Sequence, residues 1–240
     1  MRDIFNGFAL ALSMLTTVPF FRVHDFFKGI NGYAVMFYPL VGFLLGLVLW
    51  GAHSLLAPYV PSFHVGIIIF VLWVLLTGAL HLDGFSDTVD GLYVTKEKAL
   101  KVMKDSHVGG MGMLMSGTFL IAKASSLAHF EAFYLLPLIL MLSRLNVVLA
   151  IYFYPYISEN GMSTLAKAEL TKKQMLIALF YSLILVAFFN TWLALVSALL
   201  VLFVIKSFFI KRYGGFSGDI YGFSIEVTEL VLLNVILFSL

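Results

Sequence analysis

The stretch VGIIIFVLWVLLTGALHLDGFSDTVDG, residues 65–91, carries the two features on which the fold turns: an apolar run, then three aspartates in close succession. The part from 65 to 82 is long enough to cross roughly 30 Å of hydrocarbon. Asp83, Asp87 and Asp90 follow at i, i+4 and i+7. If the helix of the span continues through them, they lie at about 0°, 40° and 340° around an axis turning roughly 100° per residue, on one face.

Outward from this stretch, further apolar runs lie near 33–52, 109–128, 132–154, 175–189, 192–210 and 223–240, making seven candidate spans with 65–82. Residues 4–20, punctuated by Asn6, Gly7, Ser13, Thr16 and Thr17, read as a marginal eighth segment: an interfacial, re-entrant or tilted helix. The 240 residues are 61% hydrophobic and 12% charged. A mean hydropathy of +1.01 places them far outside the soluble range. The expected fold is therefore all-α, a polytopic integral membrane protein with one membrane-embedded domain over 1–240; no internal repeat or linker divides it. The opening MRDIFNGFALALSMLTTVPF has the charge and apolar run of a signal peptide but no small-x-small cleavage site, so it reads as retained. The chain has no cysteine, which excludes disulfides, thiolate metal sites and cysteine nucleophiles. Its net charge of +2 comes from short basic clusters, so no nucleic-acid-binding face is expected.

Those clusters set the orientation. Arg22 and Lys28 precede the first span; Lys96, Lys98, Lys101 and Lys104 follow the second; Lys167, Lys172 and Lys173 follow the fourth; Lys211 and Arg212 follow the sixth. The connections around 57–64, 129–131 and 190–191 hold no Lys or Arg. The alternation supports the count of seven and places every basic segment on one face, the cytoplasmic one by the positive-inside rule. Asp83, Asp87, Asp90, Asp105, Asp219, Glu226 and Glu229 lie in or beside two segments of that same face.

Three carboxylates on one helix face repel one another unless a cation neutralises them. Oxygen-only ligands select a hard ion, Mg²⁺ first with Mn²⁺ as the alternative, and Mg²⁺ completes its shell with water and substrate phosphates. The bland reading is a solvated acidic helix cap. A second acidic stretch, GGFSGDIYGFSIEVTEL, places Asp219 after Ser217 and Gly218 and carries Glu226 and Glu229 into the last span. If the two stretches converge they hold metal and substrate together; otherwise Glu226 and Glu229 pair structurally with intramembrane Lys123 or Arg144. In MKDSHVGGMGM, Lys104, Asp105 and Ser106 precede Gly109 and Gly110, whose amides at a helix start suit an oxyanion. Glycines in membrane helices also serve close packing. Arg144 is a candidate bidentate diphosphate clamp, and His81 adjoins the aspartates as a candidate substrate donor. These parts describe phosphoryl transfer, in which the protein mainly positions groups and neutralises charge.

The blocks YPLVGFLLG, TGALHLDGFSDTVDGL, MKDSHVGGMGM, LSR and GGFSGDIYGFSIEVTEL, in order over nearly the whole chain, resemble the signature blocks of the cobalamin 5'-phosphate synthases, the adenosylcobinamide-GDP ribazoletransferases. The resemblance implies a Mg²⁺-dependent inner-membrane enzyme, its active site facing the cytoplasm. Such enzymes join adenosylcobinamide-GDP to α-ribazole or α-ribazole 5'-phosphate, giving adenosylcobalamin or its phosphate and releasing GMP. It carries the family's acidic pattern to Asp83, Asp87 and Asp90, its middle block to Asp105, Ser106 and Gly109, and its last block to Gly218, Asp219, Glu226 and Glu229. The metal set so expected is Asp83, Asp87, Asp90, Asp219, Glu226 and Glu229, with Asp105 or Glu226 accepting the proton of the attacking hydroxyl. Ser217 stands where the family often has Thr, and His107 where Arg is frequent. The lipid bilayer is an expected partner, and a homo-oligomer is compatible with the sequence. Two other readings remain open here: a CDP-alcohol phosphotransferase, similar in chemistry but lacking here its Ala-Arg and later aspartates, and an ion-coupled transporter with acids along a cation path.

Overall fold

The computed structural model describes residues 2–18, 26–105, 107–158 and 162–239; Arg22 and Ser106 lie outside them. The described residues form eleven α-helices: α1 (Arg2–Leu15), α2 (Ile30–Leu56), α3 (Ser62–Thr77), α4 (Leu80–Leu92), α5 (Lys96–Met103), α6 (Gly110–Ala128), α7 (Leu136–Phe153), α8 (Met162–Glu169), α9 (Lys172–Phe188), α10 (Trp192–Tyr213) and α11 (Gly218–Leu237). No strand occurs among them; one isolated parallel bridge joins Tyr156 to Phe216. Five helical segments are long and apolar enough to cross a membrane, and the count is seven if the bent pairs α3/α4 and α8/α9 are each one span. The polytopic all-α architecture thus stands, with five to seven crossings, the last two of them bent pairs.

The break after α3 corrects the expectation that one helix runs from the second span through the aspartates. Gly78 and Ala79 both take left-handed backbone, with φ of 61° and 56°, and α4 leaves at 85° to α3. Glycine adopts that conformation freely, whereas for alanine it costs roughly 1–2 kcal/mol. The turn closes as a Schellman motif, Gly78 N–H to the Leu75 carbonyl at 3.2 Å and Ala79 N–H to that of Val74 at 3.1 Å. Carbonyls freed by a break inside a membrane protein need donors. Thr17 supplies them, its N–H reaching the Leu76 carbonyl at 2.9 Å and its hydroxyl that of Leu75 at 2.9 Å. The marginal segment expected at 4–20 is helix only to Leu15; at 14 residues, α1 is about 21 Å long, short of a full crossing.

Helix α7 is the centre of the bundle, with every residue from Leu136 to Ile151 buried, as a helix apolar on all sides requires. Helix α2 lies against it closely because Gly42 and Gly46 are one turn apart. A Cβ at the first would collide with the Leu140 carbonyl and at the second with Pro137.

Contacts sort the connections into two ends. At one end Arg212 reaches the Leu92 carbonyl at 2.9 Å, Ile157 N–H that of Phe216 at 2.9 Å, and Glu169 the Asn31 amide at 3.0 Å. These join the lysine-bearing segments. At the other, His53 stacks on Phe133 at 3.8 Å and Phe63 meets His129 at 6.0 Å, joining the segments without Lys or Arg. Helix α8, absent from the sequence reading, is a brace at the basic end. Lys167 donates to the Ile151 and Tyr152 carbonyls at 2.7 and 2.9 Å, a cation at the end of α7, while Glu169 sits as an anion at the start of α2.

Candidate active site

Helix α4 carries its aspartates along a gradient of burial, Asp83 exposed, Asp87 half-buried and Asp90 buried. Its partner is α11, and the two meet through glycines. A Cβ at Gly84 would lie 3.0 Å from the Asp219 carbonyl, and one at Gly222 would lie 3.1 Å from that of His81 and 3.3 Å from Gly84 Cα. This close approach brings Asp219, in the first turn of α11, to residues more than a hundred positions earlier. Asp87 lies in electrostatic reach of Asp83, Asp219 and Asp90, and Asp219 in reach of Asp83 and Lys104. Ser217 starts α11, its hydroxyl accepting from Ile220 N–H at 3.3 Å and donating to Asp219 at 3.3 Å. Gly218 beside it is exposed.

Glu226 and Glu229 do not join this cluster. Lys123 Nζ of α6 lies 2.7 Å from Glu226 and 2.6 Å from Glu229, and Arg144 of α7 pairs with the other oxygen of Glu229. All four side chains are buried, and two cations against two anions leave no net charge. The sequence reading left both glutamates two roles, metal ligands or structural partners of intramembrane Lys123 or Arg144, and the structure holds them in the second arrangement. Excluded from water, each carboxylate is held by the nearest cation. Arg144, the candidate diphosphate clamp of the sequence reading, is wholly buried and paired with Glu229. Its Nη2 lies 3.5 Å from His81 Nδ1, so that nitrogen accepts and Nε2 carries the proton, buried and without a hydrogen-bond partner among the described residues. The buried His81 belongs to the root of α4.

The glycine block is also rearranged. Asp90 accepts the Gly109 N–H at 2.7 Å and the Gly112 N–H at 2.7 Å, so the Gly109 amide expected to face a substrate oxyanion faces a carboxylate of the chain itself. Asp105, on the connection between α5 and α6, is exposed. The His107 ring at 2.8 Å and backbone N–H at 3.0 Å bond to it and hold its carboxyl below the usual range. Of the two suggested proton acceptors, Asp105 is made less basic by His107, and Glu226 bonds to Lys123. Lys104 is exposed at the rim beside Asp219.

Among the described residues no three His, Asp or Glu side chains converge as they stand to coordinate an ion. The donor set still suits a hard cation. Asp83, Asp87 and Asp219 are carboxylates in mutual electrostatic reach, two of them partly open to the water that Mg²⁺ retains.

Sequence reasoning gave Arg212 only a place in a basic cluster and passed over Tyr213; the two hold the end of α4 through the Leu92 and Gly91 carbonyls at 2.9 and 2.8 Å. Nothing in local spacing marks them. It also passed over Met103, which packs on Gly91.

Fold and site define a multi-pass helical membrane protein with lysine-rimmed carboxylates where its helices end. The chain belongs to the cobalamin-5-phosphate synthase family, whose sequence model matches residues 7–237, and is a transferase of cobalamin biosynthesis. It is similar to proteins named adenosylcobinamide-GDP ribazoletransferase from three organisms. That of Desulfitobacterium hafniense is 33% identical, the match covering 93% of each chain. That of Thermosynechococcus vestitus is 36% identical over 81% of this chain and 82% of the relative. That of Desulforamulus reducens is 34% identical over 98% and 97%. No solved structure matches the chain.

Proposed function

We propose that this chain is a Mg²⁺-dependent adenosylcobinamide-GDP ribazoletransferase of the inner membrane, working at the cytoplasmic face. It joins adenosylcobinamide-GDP to α-ribazole or its 5'-phosphate, giving adenosylcobalamin or its phosphate and GMP. The observation that carries the site is the Gly84–Gly222 contact, which gathers Asp83, Asp87 and Asp219 from two distant segments. These three would hold Mg²⁺, with Mn²⁺ as the alternative; the ion supplies charge neutralisation on the diphosphate and on the departing phosphate. Lys104 and the neighbouring lysines of α5 bind phosphate oxygens at the rim. The ribazole 3'-hydroxyl is oriented toward the phosphorus on the corrinoid's aminopropanol arm, whose bond to GMP breaks. The Lys- and Arg-bearing end supports the cytoplasmic orientation, and acids gathered at that end favour chemistry over a transport path.

The test is GMP release by purified protein, with adenosylcobinamide-GDP and α-ribazole, across a Mg²⁺ titration. Asp83→Asn, Asp87→Asn and Asp219→Asn should each lower turnover and raise the Mg²⁺ needed; undiminished turnover in all three sinks the metal assignment. CDP-lipid with an alcohol, supplied to the same preparation, should yield no CMP.

A further inference from the structure

Two adjacent residues at the end of α4 grip both ends of the segment that carries Lys104. Asp90 takes the Gly109 and Gly112 amides at the start of α6, both at 2.7 Å. Gly91 makes room for the buried Met103 at the end of α5, since a Cβ there would run into the methionine, its Cγ at 2.9 Å. The same end of α4 is fixed from behind by Tyr213 on the Gly91 carbonyl at 2.8 Å and Arg212 on that of Leu92 at 2.9 Å. Lys104 and Asp105 thus follow one pinned end and His107 and Val108 precede the other, and the two pins are consecutive positions of α4.

The glycines are explained by the same contact. Gly109 has φ −76° and ψ 163°, a conformation any residue adopts, so its backbone does not require glycine. Gly112 lies inside a helix, where glycine is a weak choice. What both positions lack is space: a Cβ on either would run into the Asp90 carboxylate, and one on Gly112 would also lie 2.6 Å from Ser86 Oγ. Asp90 in turn has one amide on each carboxylate oxygen and, as a residue, is only 8% exposed. That leaves little access for the water ligands Mg²⁺ usually keeps.

We infer that Asp90 and Gly91 form a clasp that holds the Lys104 segment beside the carboxylate cluster, with Asp90 a positioning residue and not a metal ligand. The inference rests on the Mg²⁺ and diphosphate reading proposed above. The test measures kcat, KM for adenosylcobinamide-GDP, half-saturating Mg²⁺ and melting temperature for Asp90→Asn, Gly109→Ala, Lys104→Gln, Asp83→Asn and the double variant Asp90→Asn/Lys104→Gln. Asp90→Asn and Gly109→Ala should each lower kcat/KM by roughly ten- to a hundredfold through misplacement, with half-saturating Mg²⁺ unchanged. The double variant should be no worse than its worse single, a coupling that a purely structural loss would not produce. If Asp90→Asn raises half-saturating Mg²⁺ as Asp83→Asn does, while Gly109→Ala keeps full activity, the clasp is overturned. Should Asp90→Asn fail to fold, Gly109→Ala decides alone, and wild-type kcat/KM in it overturns the clasp. An unchanged Mg²⁺ requirement in Asp83→Asn would sink the metal reading instead, leaving the Asp90–Lys104 coupling to be judged on KM.

Discussion

Lys123→Met is the perturbation that most directly separates the two roles open to Glu226 and Glu229. Lys123 contacts both glutamates and lies 4.3 Å above the Trp73 ring. Without it, Glu229 keeps Arg144 and the Ser143 hydroxyl at 3.3 Å, whereas Glu226 loses the only side-chain partner found for it among the described residues. One buried anion is left uncompensated, a change that costs about 3–5 kcal/mol. For a chain of this size that corresponds to a fall of roughly 6–20 °C in melting temperature. Thermal unfolding of the purified protein in detergent, followed by tryptophan fluorescence, measures it. The double variant Lys123→Met/Glu226→Leu removes the stranded charge and should recover most of the loss, because buried pairs replaced whole by apolar groups are often neutral in stability. A Lys123→Met protein that melts like the wild type would refute the reasoning. So would a stable double variant whose Mg²⁺ requirement had risen, since Glu226 would then belong to the metal site.

Gly222→Ala tests the α4–α11 contact. The added methyl must push His81 and Gly84 back by a few tenths of an ångström, overpacking that costs about 1–3 kcal/mol against the roughly 1 kcal/mol gained in helix propensity; a higher half-saturating Mg²⁺ is expected, and a fully active, stabilised variant would show that the helices do not meet there. Arg212→Ala removes the donors to the Leu92 and Val94 carbonyls at 2.9 and 3.3 Å; hydrogen exchange should quicken at the end of α4 while α11 keeps its protection, and unchanged exchange in α4 would count against the anchor.

The class of fold was legible because a membrane imposes a length and a composition on each crossing, and both are local properties of a sequence. The alternation of lysine-bearing and lysine-free connections was legible for the same reason, and the contacts at the two ends of the bundle follow it. Less was legible at positions 78 and 79. A glycine within an apolar run reads as a packing position, and an alanine in left-handed backbone has no sequence signal. The break depends on Thr17, some sixty residues earlier, supplying donors for the carbonyls it frees. Helix α8 was missed because its stability comes from Lys167 and Glu169 meeting the ends of two other helices.

The sequence by itself determined that this is a helical membrane protein, that its charged chemistry gathers at one end, and which acids are candidates for it. Only the tertiary structure decided which acids lie together. Seven acids lie in or beside two segments, and their types and spacing are compatible with one large site. A carboxylate's role depends on the first charge or donor it meets in three dimensions. Asp219 meets Asp83 and Asp87 across two glycines; Glu226 and Glu229 meet Lys123 and Arg144 in a water-free core; Asp90 meets two backbone amides. HLDGFSDTVDG announces three aspartates of one kind, and the packing around α4 makes the third a different residue from the first two.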